Sequence, residues 1–495
     1  MNYQASTANG KIDIPDLASL ESQARGVIPE GGFDYIAGGA EDEVTLRRNT
    51  RAFDRTALVP RALMDLGAPD PSTSLLGIAL PFPVILSPMA AHRLAHADGE
   101  KASARALAGA GSIMSVSNYA TESFEDIEAA APASPKFMQI YLNRDQGVNR
   151  AYIDLGKASG MRALIFTVDA SVGGNRERDL ANRFKVPFPF PNLGPGTFGA
   201  DGGDLMAIMN NQKRDLSIAD LEWLIEYSGL PVVVKGVQAP PDAVRAVEAG
   251  AAAIWVSNHG GRQLDGGPAA FTMLRPIARA LDGAVPVIFD SGVRRGRHVF
   301  EALAAGADAV GLGRPALYGL ALGGAPGMQA VFEQTRSELV RVMQLAGAGS
   351  IAEVKRTRLF DLRRHRHGGG RPRGSGGERG GPGGDSGGHG GGHSGGHHRG
   401  HGCERGGHGG YGGEGGGHGG GQDAEHGGGH GCERGVHDHG HSGEHGNDSG
   451  ERGRHSGHGS GRGRGHGGAH HRGHDHGHGG GPDHGHGGGH RAPTS

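Results

Sequence analysis

Eight short runs of apolar and β-branched residues recur along the chain, and this recurrence most limits its fold. The stretches between the runs are longer and rich in Ala, Leu and Glu, which favours helices. Alternating strands and helices are typical of a parallel sheet with crossover helices, and eight such units close into a (β/α)8 barrel. The eight runs are residues 83–89, 112–117, 136–141, 163–168, 231–237, 253–257, 286–290 and 309–312. We therefore predict an α/β fold of the TIM-barrel type.

A doubly wound open sheet is the rival architecture, but no G-x-G-x-x-G segment follows the first run, which argues against it. Residues 10–60 predict an N-terminal helical cap in which Pro15, Asp16 and Leu17 open one helix. Residues 184–215 are rich in Phe, Pro and Gly and predict an irregular insertion, which we interpret as a lid. Helices are also predicted at residues 99–110, 124–131, 150–159, 240–249, 271–281 and 297–305.

The composition changes abruptly near residue 362, which predicts two domains: a barrel at 1–362 and a low-complexity tail at 363–495. Only four of the 30 histidines precede residue 363, and the tail has too few apolar residues to offset chain entropy, so we expect disorder there. Its histidine runs, such as residues 474–478, could bind divalent metal loosely. The alternative, which we favour, is a solvating extension.

Charge and hydropathy exclude some partners. The formal net charge is −2, which gives no indication of nucleic-acid binding, and no apolar run reaches the ~18 residues of a membrane span. The N-terminus lacks the basic and apolar regions of a signal peptide. Both cysteines, Cys403 and Cys432, lie in the tail, which fits a reducing compartment. We expect a cytoplasmic protein that binds a small molecule.

Polar residues cluster where the predicted strands end. His259 and Arg262 stand three apart on a glycine-rich turn after the run at 253–257. Barrel enzymes carry their catalytic groups at the carboxyl ends of the strands, so a base and a cation would meet there. The other polar strand ends are Gln139 and Tyr141, Thr167 and Asp169, Lys235, Asp290 with Arg294, and Gly313 with Arg314.

The last two strands carry a repeated Gly–Arg pattern, with Gly292 and Arg294 after one and Gly313 and Arg314 after the other. Glycine lets backbone N–H groups approach a ligand closely, and arginine pairs with phosphate through two hydrogen bonds. This part of a barrel often holds a phosphate. The pattern predicts a phosphorylated ligand or cofactor.

Ordered segments throughout the predicted barrel resemble the FMN-dependent α-hydroxy acid oxidases, most closely their L-lactate oxidase branch. The resemblance covers about residues 10–362. It is carried by residues 33–43, 87–92, 137–141, 167–176, 257–265, 289–296 and 313–324.

The resemblance implies FMN as the cofactor. Its phosphate would be held by Gly292, Arg294, Gly313 and Arg314, its ribityl chain by Asp290, and Lys235 would stabilise the charge of the reduced ring. The remaining residues expected to bind the cofactor are Pro88, Met89, Ala90, Ser117, Gln139, Thr167 and Ser257.

The resemblance also implies the substrate side. Arg176 and Arg262 would clamp the carboxylate of an L-2-hydroxy acid, aided by Tyr35, and Tyr141 would contact the reacting hydroxyl. His259 would remove the hydroxyl proton as the α-hydrogen leaves as hydride, with Asp169 stabilising the imidazolium. The product would be a 2-keto acid, O2 would reoxidise the flavin to give H2O2, and the family assembly is a homotetramer.

Four alternatives stay open at this stage. The α-hydrogen could leave as a proton, and a quinone could replace O2 as the acceptor. Residues 153–226 contain no tyrosine, whereas lactate oxidases carry tyrosines in this insertion, so a larger, mandelate-like substrate is a second candidate. The last alternative is a metal-binding protein that uses the barrel as a scaffold.

Overall fold

The computed structural model describes residues 3–194 and 196–362. The predicted tail, with its metal-binding and solvating interpretations, lies outside the described residues. Among the helices of the described ranges, none has both the length and the apolar composition that crossing a bilayer requires.

The strands are short, and most are buried along their whole length. They are β1 (Thr56–Leu58), β2 (Thr73–Leu75), β3 (Ile78–Leu80), β4 (Val84–Leu86), β5 (Met114–Val116), β6 (Lys136–Ile140), β7 (Ala163–Thr167), β8 (Val232–Val237), β9 (Ala253–Val256), β10 (Val287–Phe289), β11 (Ala309–Leu312) and β12 (Leu359–Asp361).

The helices alternate with the strands from β4 onward. They are α1 (Leu20–Arg25), α2 (Glu30–Ala37), α3 (Val44–Arg51), α4 (Gly99–Ala110), α5 (Phe124–Ala130), α6 (Gln146–Ala158), α7 (Glu177–Ala181), α8 (Leu205–Asn210), α9 (Ile218–Ser228), α10 (Pro240–Glu248), α11 (Ala270–Leu281), α12 (Gly296–Ala304), α13 (Arg314–Ala346) and α14 (Ile351–Arg356).

Strands β4 to β11 form one eight-stranded parallel sheet in which β4 pairs with β11 and β5 pairs with β6. The N–H of Leu86 in β4 donates to the carbonyl of Ile113, just before β5, at 3.0 Å, which closes the sheet on itself. Each of the eight predicted runs contains one of these strands. The prediction of a (β/α)8 barrel is confirmed, and the open doubly wound sheet is excluded.

Alternate strand residues separate two apolar clusters, as the two-residue period of a strand requires. The first cluster combines strand residues such as Ile85, Phe137, Ile165 and Trp255 with leucines of the β2–β3 hairpin. The strand residues that alternate with these belong to the second cluster, where they pack against the helices. The first cluster therefore fills the barrel, and the hairpin closes one end. Trp255 is fully buried, as the sequence predicted.

The N-terminal cap forms, but its first helix begins later than predicted. Helix α1 starts at Leu20 rather than at Pro15, because the carboxylate of Asp16 accepts the N–H groups of Ala18 and Ser19 at 2.6 and 3.2 Å. These bonds hold a turn before the helix, since Asp offers the backbone an alternative to helical pairing. Asp16 thus precedes the helix instead of lying within it.

The predicted insertion at 184–215 is irregular except for helix α8 and a short 3-10 turn at Pro191–Leu193. Three phenylalanines attach it to the barrel mouth: Phe184 lies 5.9 Å from the ring of Tyr35, Phe188 lies 5.7 Å from that of Tyr3, and Phe190 is fully buried. The opening of this segment as a lid stays a prediction.

Helix α3 is capped by a residue distant in sequence. The carboxylate of Asp265, in the loop after β9, accepts the N–H groups of Val44 and Thr45 at 3.1 and 2.6 Å. An anion at a helix N-terminus satisfies unpaired donors and interacts favourably with the helix dipole. Asp265 thereby joins the N-terminal cap to the barrel mouth.

Replacing Asp265 by Ala removes both of these hydrogen bonds, so we expect the free energy of unfolding to fall by about 1 kcal/mol. Urea unfolding followed by circular dichroism measures the change. Asp215→Ala is the matched control, because the Asp215 side chain is 88% exposed. Equal stabilities of the two variants would contradict the capping role.

Candidate active site

A cavity that is open at one side lies at the carboxyl ends of the barrel strands. Fifteen of the nineteen predicted site residues line it, which is the clustering expected from the strand-end rule. They are Tyr35, Pro88, Met89, Ala90, Ser117, Tyr141, Arg176, Lys235, His259, Arg262, Asp290, Gly292, Arg294, Gly313 and Arg314. The other four, Gln139, Thr167, Asp169 and Ser257, are not among the lining residues.

His259 is held from three sides. Its backbone, in the left-handed region at φ 58°, donates its N–H to Ser257 Oγ at 3.0 Å. Its ring Nδ1 lies 3.0 Å from Asp169 Oδ1, and its Nε2 lies 3.3 Å from Tyr141 Oη. Because the Asp169 carboxylate accepts the Nδ1–H, the neutral ring has its free lone pair on Nε2. Nε2 can therefore accept a hydrogen bond from the Tyr141 hydroxyl. The geometry leaves Nε2 able to take a proton.

Burial of the His259 ring favours its neutral form. Burial lowers the pKa of His259; the carboxylate of Asp169 opposes this, and Lys235 adds to it. Although burial raises the pKa of Asp169, His259 and Lys235 together hold that pKa below its usual value. An ionised carboxylate therefore accepts the Nδ1–H of an imidazole whose neutral form is favoured by burial, which is the arrangement of a general base.

Ser257 does not line the cavity, and its predicted direct contact with the cofactor stays a prediction. Its side chain is fully buried, and its Oγ accepts hydrogen bonds from Lys235 Nζ at 3.2 Å and from the His259 N–H. One hydroxyl therefore positions two residues that line the cavity.

Two arginines face one tyrosine. The guanidinium carbons of Arg176 and Arg262 lie 5.3 and 4.9 Å from the centre of the Tyr35 ring. Arg176 pairs with Asp179 at 3.3 Å, and burial, together with the charge of Arg176, lowers the pKa of Arg262. Two cations beside one cavity are suited to binding a planar anion such as a carboxylate.

Arg314 lines the cavity, and its side chain also joins two backbone segments through hydrogen bonds. Its guanidinium donates to the carbonyls of Ile36, Gly38 and Gly260 at 3.0, 2.9 and 3.1 Å. Burial lowers its pKa to about 9. Of the predicted phosphate residues, Arg314 is thus already bound to backbone.

The turn after β10 is shaped around glycine. Gly292 adopts φ 86°, and a Cβ atom there would lie 2.6 Å from the backbone of Asn49, so no other residue fits. The next residues bring Arg294 to the cavity, where its backbone N–H donates to His298 Nδ1 at 3.1 Å. Backbone amides and an arginine at a tight turn are typical of a phosphate cradle.

Two buried polar groups beside the cavity are without partners. Gln139 Nε2 and Thr167 Oγ1 make no hydrogen bond, and each residue is only 1% exposed. The amide of Gln139 is fixed because its Oε1 accepts from Ser117 Oγ and the Asn118 N–H. Leaving such groups unpaired costs about 1–3 kcal/mol each, so a ligand with ring heteroatoms along this side fits them.

The sequence did not identify Tyr119, Leu205 and Met209 as lining residues. Tyr119 stacks on Tyr141 with ring centres 5.6 Å apart. It lies two residues after Ser117 at a strand end, so the strand-end rule could have found it. Leu205 and Met209 lie four residues apart on α8, and nothing in the local pattern distinguishes this pair from core residues.

Over residues 3–194 and 196–362, no three His, Cys, Asp or Glu side chains come together in a way that could hold a metal ion.

The fold and the cavity define a barrel enzyme that binds a phosphorylated cofactor with ring heteroatoms beside a small carboxylate substrate. The family model of FMN-dependent dehydrogenases matches residues 24–361. The chain belongs to this FMN-dependent dehydrogenase family, so its cofactor is FMN, which the unpaired Gln139 and Thr167 and the glycine turn fit.

Known relatives agree with this assignment. An L-lactate oxidase of Lentilactobacillus hilgardii is 46% identical over 364 residues, covering 73% of this chain and 98% of that protein. A lactate oxidase structure from Pediococcus acidilactici is 48% identical, with a TM-score of 0.70, and the match covers 72% of this chain and 98% of that one. A mandelate oxidase structure is 34% identical, with a TM-score of 0.65, and covers 70% and 99%.

Replacing Thr167 by Val should have opposite effects on the empty and the FMN-bound protein. Removing an unpaired buried hydroxyl should leave the stability of the FMN-free protein unchanged or higher, while FMN affinity falls about fivefold to tenfold. Flavin fluorescence titration and thermal unfolding measure the two quantities.

Thr335→Val is the matched control, because the fully buried Thr335 hydroxyl donates to the Val331 carbonyl at 2.7 Å. This variant should lose stability and keep its FMN affinity. If Thr167→Val behaves in the same way, Thr167 does not contact the cofactor.

Proposed function

We propose that this enzyme oxidises an L-2-hydroxy acid of the lactate type to the 2-keto acid, with FMN as the cofactor and O2 as the final acceptor, giving H2O2. One observation carries the proposal: the same cavity is lined by His259, whose ring is paired with Asp169, and by the two arginines Arg176 and Arg262. A base and an anion clamp are the two groups that oxidation of a hydroxy acid requires of the protein.

Substrate binding rests on the arginines. The carboxylate would lie between Arg176 and Arg262, and the hydroxyl of Tyr35 would add a hydrogen bond. Phe184 packs on the Tyr35 ring and limits its movement. Fixing both carboxylate oxygens would direct the substrate hydroxyl toward His259.

Proton transfer rests on His259. Its Nε2 would accept the proton of the substrate hydroxyl, and Tyr141, 3.3 Å from Nε2, would donate a hydrogen bond to the same oxygen. The carboxylate of Asp169 stabilises the imidazolium that forms. Bound FMN supplies the two-electron acceptor that transfers electrons from the substrate to O2.

The cofactor would be held along the other side of the cavity. Gly292, Arg294 and Gly313 would contact the phosphate, and Arg314, at the start of α13, would support this region through its hydrogen bonds to the carboxyl end of α2. Asp290, which accepts from Ser87 and Ser291 at 3.1 and 2.9 Å, would bind the ribityl chain. The residues proposed beside the ring are Pro88, Met89, Ala90, Ser117, Gln139, Thr167 and Lys235.

A larger, mandelate-like acid is the second candidate substrate. Leu205 and Met209 present apolar groups to the cavity, and residues 153–226 contain no tyrosine. Both features favour an apolar substituent on the hydroxy acid. A quinone in place of O2 is the corresponding alternative for the acceptor.

A panel of L-2-hydroxy acids, assayed with O2 and separately with a dye acceptor, tests the proposal. We expect the fastest turnover with small acids such as L-lactate, with one H2O2 formed per 2-keto acid. Preference for mandelate would favour the second substrate, and turnover with the dye alone would favour the dehydrogenase. Failure of every acid to turn over would contradict the proposal.

We also propose that the enzyme is cytoplasmic and homotetrameric. Sedimentation at several concentrations tests the assembly, and fractionation of the source cells tests the location. For the tail we favour a solvating extension; loose divalent-metal binding is the alternative, tested by nickel titration of the full chain against a chain ending at residue 362. Equal uptake by both would remove it.

The Asp169→Asn variant tests the base through its pH dependence. Since only neutral His259 can accept the proton, kcat/KM should fall as the pH decreases through the pKa of His259, which burial holds below its ordinary value. Asp169 raises that pKa, so the variant should lose activity at a lower pH than the parent enzyme. Its plateau should fall about 10²-fold or more.

Asp215→Asn, an exposed acid outside the cavity, should keep the parental profile. A profile for Asp169→Asn that shifts to higher pH, or an unchanged plateau, would show that Asp169 does not support the base.

A further inference from the structure

Helix α8 places a thioether beside the anion clamp. Met209 lines the cavity and is 4% exposed, so its side chain is screened from bulk solvent. Arg176 Nη2 donates to Met209 Sδ at 3.8 Å. Arg176 is itself 4% exposed and is held by Asp179 and the Tyr35 ring. An oxidisable atom therefore contacts a cation assigned to the substrate carboxylate.

We propose that Met209 is a site of oxidation by the hydrogen peroxide that the enzyme itself makes, and that its sulfoxide weakens substrate binding through Arg176. The inference rests on the proposed function, because that reaction releases peroxide inside the same cavity. It implies an enzyme whose substrate affinity falls as its product accumulates.

The chemical step is balanced by peroxide alone. A lone pair of Met209 Sδ attacks one oxygen of H2O2, the O–O bond breaks, and an S–O bond forms. The thioether is oxidised to the sulfoxide, the peroxide is reduced, and its second oxygen leaves as water after proton transfer. No metal and no further oxidant is required.

The sulfoxide would change what Arg176 binds. A thioether is a weak hydrogen-bond acceptor, whereas a sulfoxide oxygen is a strong one, and it would stand within reach of Arg176 Nη2. That N–H, which now donates to the weakly accepting sulfur, would then be held more strongly before the substrate arrives, and the added oxygen would face the substrate carboxylate. Because the carboxylate is bound equally in the ground and transition states, KM should rise while kcat stays nearly constant.

The experiment treats the FMN-loaded full chain with H2O2, removes the peroxide with catalase, and compares KM and kcat with untreated enzyme. Mass spectrometry locates the added oxygen. Met206 and Met209 share the tryptic peptide 186–213, so fragment ions must distinguish them. Equilibrium binding of pyruvate, a 2-keto acid with the same carboxylate, is measured by calorimetry before and after treatment.

Treatment should add one oxygen to Met209, raise KM at least about tenfold and change kcat less than about twofold. Met209→Leu, compared with its own untreated sample, should show no rise in KM. Met273→Leu is the control, because Met273 is half-buried on α11 and is not among the residues that line the cavity. This variant should respond to peroxide as the parent does.

Two results would overturn the proposal: a Met209 sulfoxide with unchanged KM, or an intact Met209 when Met273 is oxidised. If the untreated enzyme turns over no 2-hydroxy acid, the proposed function fails separately. The pyruvate affinities would then decide the inference, since a treated chain that binds pyruvate as tightly as the untreated one contradicts it.

Discussion

The architecture of the site depends on hydrogen bonds between two arginines and the carboxyl end of helix α2. Arg262 donates to the carbonyls of Tyr35 and Gly38, and Arg314 donates to those of Ile36 and Gly38. Helix carboxyl ends carry unpaired carbonyls and partial negative charge, so cations there are stabilising. These bonds fix Tyr35 over the cavity and hold the N-terminal cap against the loop that carries His259.

The same burial that makes these bonds strong also sets the chemistry. Desolvation lowers the pKa of His259 and favours the neutral ring. The carboxylate of Asp169 acts in the opposite direction and stabilises the imidazolium that forms when His259 takes a proton. The unpaired groups of Gln139 and Thr167 are the corresponding feature on the cofactor side. Buried polar groups without a hydrogen-bond partner lower the stability of a protein. A bound ligand that pairs with these two groups would remove that cost.

The sequence predicted the barrel and most of the cavity because both follow from local patterns. Apolar runs of strand length mark β4 to β11, and polar residues just after them converge because all the strands are parallel. Three features were not predicted, since each depends on contacts between residues far apart in sequence. They are the hydrogen bonds of Arg314 to backbone carbonyls, the buried position of Ser257 and the capping of α3 by Asp265. Helix α1 began late because Asp16 paired with its own backbone. Met209 had no polar character to mark it, although its position beside Arg176 makes it chemically important.

The central claim is that His259 removes the hydroxyl proton of a 2-hydroxy acid bound beside FMN. Anaerobic mixing with L-lactate in a stopped-flow spectrometer tests it most directly, because loss of the flavin absorbance reports one turnover without any oxygen chemistry. We predict rapid bleaching of the parent enzyme and bleaching at least about 10²-fold slower in His259→Gln with FMN still bound. Equal bleaching rates in the two proteins, or a bound flavin that no 2-hydroxy acid reduces, would contradict the account.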